Sequence, residues 1–81
     1  MKKKRELKAS HKAWLKKIGN HYKELRIAAE HTNRNFFAYE HGLNPTQISR
    51  LESGEDMYLT SLFTALDALK ISPDKFFSGI K

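Results

Sequence analysis

Thr46, Ser49, Arg50 and Ser53 are the residues of this 81-residue chain whose types and spacing point most directly to chemistry. On a helical wheel of about 100° per residue, with Ile48 and Leu51 as the core direction, all four turn away from the core. Each can hydrogen-bond, none is acidic, and one is an arginine. Arginine suits guanine O6 and N7 or a phosphate; threonine and serine suit base edges or phosphates. An ordinary solvated helix face intersperses Glu and Lys, whereas small polar groups let the backbone approach a groove closely. On these residues alone, a plain solvated face remains the alternative reading.

Other reactive side chains form no comparable set. His11, His21, His31 and His41 recur at intervals of ten, which is about 2.8 turns of helix, so they would not share one face at one height. Cysteine is absent and the carboxylates are not clustered, so no metal and no cofactor is expected. Gly19, Gly42, Gly54 and Gly79 are scattered and make no phosphate-cradling loop. No nucleophile–base pair appears either, so an enzyme is not expected. Phe36, Phe37, Phe76 and Phe77 read as core or dimer surface, not as a ligand box.

The net charge of +6 is unevenly placed. Residues 1–17 hold eight Lys/Arg against Glu6 alone, a charge of +7, while residues 18–81 hold seven against eight acids. A near-neutral domain with a basic N-terminal arm is the result, and Lys2, Lys3, Lys4 and Arg5 are its densest part. Such an arm suits a polyanion, nucleic acid before an anionic membrane. It has two further readings, a subunit contact through Leu7, His11 and Trp14, and an inert solvated tail. The longest apolar run is Phe36 to Tyr39, too short to span a bilayer. No apolar stretch follows the basic N-terminus, so no secretory signal is expected and a cytoplasmic protein is the default.

The elements that must position these residues are helical throughout. A chain of this size buries only about 60% of its unfolded surface, so the core must be modest. Leu7, His11, Trp14, Ile18, Tyr22 and Leu25 recur at steps of three and four, broadened by Leu15, Ala28 and Ala29. This predicts a first helix from roughly Trp14 to His31, or one starting earlier within the arm. Gly19 should weaken it by about 1 kcal/mol relative to alanine. Asn33 or Asn35 caps a second helix that ends at Gly42. Asn44 caps a third with Pro45 in its first turn, stopping at Gly54. Thr60 or Ser61 caps a fourth that buries Leu62, Phe63, Leu66 and Leu69. Ser72-Pro73-Asp74 starts a last short helix ending in Phe76-Phe77. The expected fold is all-α: a compact five-helix bundle, with an arm over residues 1–13 (disordered or extending the first helix) and a domain over 14–81.

Two short helices joined through Gly42 make a helix-turn-helix pattern, and here a family resemblance enters. Ala38-x-x-x-Gly42-Leu43-Asn44-x-x-x-Ile48-Ser49-Arg50-Leu51-Glu52-x-Gly54 resembles the core of the Xre/Cro, or lambda repressor-like, family. Ile18-Gly19-x-x-Tyr22-x-Glu24-Leu25-Arg26 resembles its first helix. Leu59-x-x-Leu62-x-x-x-Leu66-x-Ala68-Leu69-x-Ile71-Ser72 resembles its fourth helix and the start of its fifth. Together these cover about residues 15–78.

The resemblance implies a third helix that enters the DNA major groove. Carried over by position, it implies base contacts from Asn44, Thr46, Gln47, Ser49 and Arg50. It implies phosphate contacts from Arg34, Asn35 and Ser53, and a structural ion pair between Arg26 and Glu52. The chain departs from the pattern at four places. The linker before the second helix is one residue longer, which leaves Arg34 and Asn35 as alternative phosphate partners. Pro45 replaces a polar base-reading position, Lys70 stands for a helix-ending glycine, and His41 takes an aliphatic place. The function implied is a sequence-specific double-stranded DNA-binding regulator, bacterial or phage, repressing as a homodimer on a near-palindromic operator. The same small domain also serves as the antitoxin of toxin–antitoxin pairs, which makes a protein-interaction module that binds a toxin partner the rival reading.

Overall fold

The structure is a computed structural model, and it describes residues 6–80. Among these residues there are five helices and no strand: α1 (Ala9–Ala28), α2 (Arg34–Glu40), α3 (Pro45–Glu52), α4 (Leu59–Leu69) and α5 (Pro73–Ser78). They pack as a bundle around Tyr22, Phe37, Ala38, Ile48, Leu51, Leu62, Ala65, Leu66 and Phe76. No helix among the described residues is long and apolar enough to cross a membrane.

Three helix starts follow the local chemistry. Asn33 Oδ1 accepts from Phe36 N at 2.9 Å, Asn44 Oδ1 from Thr46 N at 2.9 Å, and Ser72 Oγ from Lys75 N at 3.2 Å. Each satisfies an N–H that the first turn would otherwise leave unpaired. Asn33, not Asn35, is therefore the cap of α2. The start of α4 differs from expectation: Tyr58, not Thr60 or Ser61, holds the cap position and supplies no side-chain bond. Its carbonyl instead accepts from Ser61 N at 3.0 Å. Packing of Leu62, Ala65 and Leu66 fixes this start, and Ala65, rather than the expected Phe63, fills the buried row. α5 runs one residue past Phe77, to Ser78.

α1 to α4 all stop in the same way. A residue one or two positions past each takes the left-handed region: Glu30 (φ 68°), Gly42 (65°), Gly54 (85°) and Lys70 (57°). The next N–H reaches back five residues: His31 to Arg26 O at 3.0 Å, Leu43 to Ala38 O at 2.8 Å, Glu55 to Arg50 O at 3.0 Å and Ile71 to Leu66 O at 3.1 Å. This is the Schellman arrangement. Glycine enters the left-handed region freely, while Glu30 and Lys70 do so at a cost of about 1 kcal/mol each.

α1 starts at Ala9 and passes residues 13 and 14 without a break. Over residues 9–13 the arm therefore takes the second of its two expected forms, an extension of the first helix; α1 also ends at Ala28, short of His31. Its buried row is Gly19, Tyr22 and Arg26. Trp14, expected on the stripe, is 53% exposed, and His11, Ala28 and Ala29 are exposed as well. The helical period is present, but the N-terminal part of its stripe, at His11 and Trp14, stays exposed among the described residues. The Trp14 ring instead lies under the Lys17 ammonium, 4.8 Å from its centroid.

The glycine expected to weaken α1 is what lets it pack. A Cβ at Gly19 would lie 2.3 Å from Leu51 O and 2.9 Å from Glu52 O. Only hydrogen fits there, so α1 and the last turn of α3 touch backbone to backbone. Tyr22, fully buried, donates its hydroxyl to Ala65 O at 2.8 Å and ties α1 to α4. Burial pushes its phenol above the ordinary range; the Glu52 carboxylate adds to the shift and Arg26 opposes it.

Candidate nucleic-acid interface

α3 is the element with two distinct faces. Ile48, Leu51 and Glu52 are buried; Thr46, Gln47 and Arg50 are exposed, and Ser49 is half-buried. Asn44, just before the helix, and Ser53, just after it, are exposed. Pro45 occupies the first helical position, where a missing N–H costs nothing.

The buried face is fixed by charge as well as by apolar contact. Arg26 Nε donates to Glu52 Oε2 at 2.8 Å and Arg26 Nη2 to Oε1 at 3.1 Å. Arg26 Nη1 also donates to His31 O, so one guanidinium holds the back of α3 and the turn after α1. Arg26 and Glu52 therefore belong to the fold, as the sequence pattern implied. Such a bidentate, hydrogen-bonded pair is the arrangement that offsets the desolvation of buried charges.

Arg34, at the first position of α2, is drawn toward the same carboxylate. Its Nη1 lies 3.6 Å from Glu52 Oε1, and its side chain is 40% exposed. Arg34 Nε is buried with no hydrogen-bond partner among the described residues. Glu52 thus faces two guanidinium groups with one charge. Arg26 has the closer geometry, so positive charge is left over at Arg34.

That charge stands on the wall of an open hollow of about 570 Å³ between α2 and α3, lined by Arg34, Asn35, Tyr39, Asn44, Pro45, Thr46 and Ser49. Five of these seven were expected at the site from sequence, and no carboxylate is among the described residues that line it. Asn44 spends its Oδ1 on the Thr46 N–H, so its amide NH2 remains as a donor. The arrangement offers hydrogen-bond donors, hydroxyls and one cation to an anionic or acceptor-rich partner.

Other expected residues lie outside the hollow. Gln47 faces a smaller pocket of about 150 Å³ between α3 and α4, beside Thr60, Ser61 and Thr64. Arg50 Nε is 4.0 Å from Glu55 Oε1, an exposed pair. Ser53 Oγ donates to Arg50 O at 3.0 Å. Lys2, Lys3, Lys4 and Arg5 lie outside the described residues.

Tyr39 is the residue that sequence reasoning missed. It is 71% exposed, and its signal was its spacing, four residues after Asn35 and so on the same helix face. The histidines offered a different surprise. His31 and His41 meet around Phe37, with ring centroids 5.7 Å apart, and each stacks on Phe37. His41 Nδ1 is 3.0 Å from Phe37 O; a carbonyl only accepts, so that nitrogen carries the proton. Among the described residues no group of three or more His, Cys, Asp or Glu is placed to hold a metal.

No family model matches this chain, and no curated protein or solved structure does.

Proposed function

We propose that the chain is a lambda repressor-like helix-turn-helix protein that binds double-stranded DNA sequence-specifically and regulates transcription, most simply by occluding a promoter. The observation that carries this reading is the hollow between α2 and α3. Residues from two helices converge on it with donors, hydroxyls and a spare guanidinium, and with no carboxylate. Thr46, Ser49 and Asn44 meet base edges, with Gln47 and Arg50 further along the groove. Arg34 and Asn35 meet the phosphate at one side and Ser53 at the other, positioning contacts that fix the register.

A second copy of the chain completes the site on DNA, with two α3 helices about 34 Å apart. Phe76 was a sequence candidate for the dimer contact, but it is fully buried. Leu59 and Phe77, both exposed, support a contact on another flank. They border a small apolar groove with Leu15, Ile18 and Leu62. The same groove keeps the antitoxin-type reading alive, since a toxin partner would need an apolar surface away from α3.

The test is a fluorescence anisotropy titration at two salt concentrations, with duplex from upstream of the protein's own gene and a scrambled duplex. Specific regulation predicts tighter binding to the native duplex by ~10³-fold with a steep salt slope. Equal affinity for both, together with a stoichiometric protein partner in a pull-down, would replace the reading with the protein-interaction one.

A further inference from the structure

We propose that the hollow reads thymine, through an apolar contact of Pro45 and Tyr39 with its 5-methyl group and a hydrogen bond from the Asn44 amide to its O4. The inference rests on the reading that α3 enters the major groove, and it names the base that the α2–α3 hollow takes there. Pro45 lines the hollow, and its side chain can neither donate nor accept a hydrogen bond. What it offers is a ring of methylenes. The Tyr39 ring and the Thr46 methyl are the other apolar surfaces on the same hollow. Tyr39 is 71% exposed, so its ring is available to a partner that enters the hollow.

The polar side of the hollow selects in the same sense. Asn44 Oδ1 accepts from Thr46 N at 2.9 Å, which commits one of its two lone pairs and leaves the NH2 hydrogens to meet an acceptor. In the major groove thymine presents an acceptor, O4, beside a methyl group; cytosine presents a donor, N4–H2, and no methyl; purines present N7 and no methyl. The Asn44 NH2 beside a methylene wall matches the thymine edge, which sets an acceptor next to a methyl group. Cytosine would place donor against donor, and uracil would keep the hydrogen bond but leave the wall empty.

The experiment begins with duplexes selected by the full chain from a randomised pool. Each thymine of the selected site is then replaced, one at a time, by uracil, which removes only the methyl, or by 5-methylcytosine paired with guanine, which keeps the methyl and removes the acceptor. Affinities are measured by anisotropy. One thymine in each half-site is expected to lose about fourfold on replacement by uracil, the worth of one buried methyl, and at least about tenfold on replacement by 5-methylcytosine. The uracil effect is expected to vanish in the Pro45→Ala/Tyr39→Ala protein. A selected site with no uracil-sensitive thymine, or a sensitivity that persists in that variant, overturns the inference and leaves DNA binding standing. A pool that yields no enriched duplex overturns DNA binding itself. The uracil series on the unaltered protein decides the matter even if the variant fails to fold.

Discussion

Replacing Gly19 by alanine sets two effects of opposite sign against each other. Helix propensity favours the change by about 1 kcal/mol, because glycine in a helix interior costs that much relative to alanine. The packing opposes it. The new Cβ would lie 2.3 Å from Leu51 O and 2.9 Å from Glu52 O. Both neighbours are backbone atoms within α3, so neither can rotate aside. Ordinary contact begins at 3.4 Å, so α1 and α3 would have to separate by about 1 Å, a displacement a packed core resists at a cost of roughly 1–3 kcal/mol or more. That separation would also stretch the 2.8 Å Arg26–Glu52 bond, which lies on the same two helices, and loosening a buried pair adds to the loss. The expected outcome is a net destabilisation of about 2 kcal/mol, which for a domain of this size lowers the midpoint of thermal unfolding by about 10 °C. Urea unfolding followed by circular dichroism measures it. Asn20→Ala is the control, since it raises propensity at the next, exposed position of α1 and should stabilise by a few tenths of a kcal/mol. If Gly19→Ala proves as stable as the parent, the close approach of α1 and α3 is wrong.

Three further outcomes follow from particular contacts. Lys70→Gly should stabilise by about 1 kcal/mol, because Lys70 holds φ 57° at the end of α4 and glycine has no Cβ penalty there; a lowered urea midpoint would contradict this. Tyr22→Phe should cost about 1 kcal/mol at neutral pH through loss of the bond to Ala65 O. It should also remove an alkaline loss of stability. The folded phenol is raised above its ordinary value, so the unfolded chain gives up this proton first. The contribution is complete below about pH 10 and is lost as pH rises beyond it, by at most about 1.4 kcal/mol per pH unit. Parent and variant unfolding curves should therefore converge above pH 10, and parallel curves would count against it. Glu52→Gln should destabilise by about 3–5 kcal/mol, because it leaves the Arg26 guanidinium buried without a counter-charge; guanidinium titration of Glu52→Gln beside an Arg26→Met/Glu52→Leu protein, which should recover much of the loss, tests that assignment.

What the sequence disclosed and what it hid divide along a physical line. Asn44 followed by Pro45, and Ser72 followed by Pro73, are local statements: the cap, the first-turn proline and the helix they begin lie within a few residues of each other. Gly42 and Gly54 are local in the same way, and all of these helix boundaries were legible. Trp14 and Phe63 were not. Each falls on an apolar period, and a period says which residues share a face but not whether another element covers that part of it. Only half of Gly19 was legible for the same reason, since its cost is a property of α1 and its use is a property of α3. At the candidate site, the resemblance named Gln47, Arg50 and Ser53, which lie outside the hollow, and it also made Arg34, Asn35, Asn44, Thr46 and Ser49 legible. Their convergence on one hollow with Tyr39 was not, because it depends on the angle at which α2 meets α3. The half-occupied state of Arg34, drawn to a carboxylate eighteen positions away in the chain, was equally beyond local reasoning.

The two faces of α3 have a consequence for how this protein can diversify. Ile48, Leu51 and Glu52 hold the helix, and Thr46, Gln47 and Arg50 take no part in the core. A residue exchanged on the outer face alters what the helix presents while leaving its anchoring intact. Stability and surface chemistry are thus separable traits on eight residues of chain, open to independent redesign in the laboratory. A library randomised at positions 46, 47 and 50 should consist largely of folded proteins.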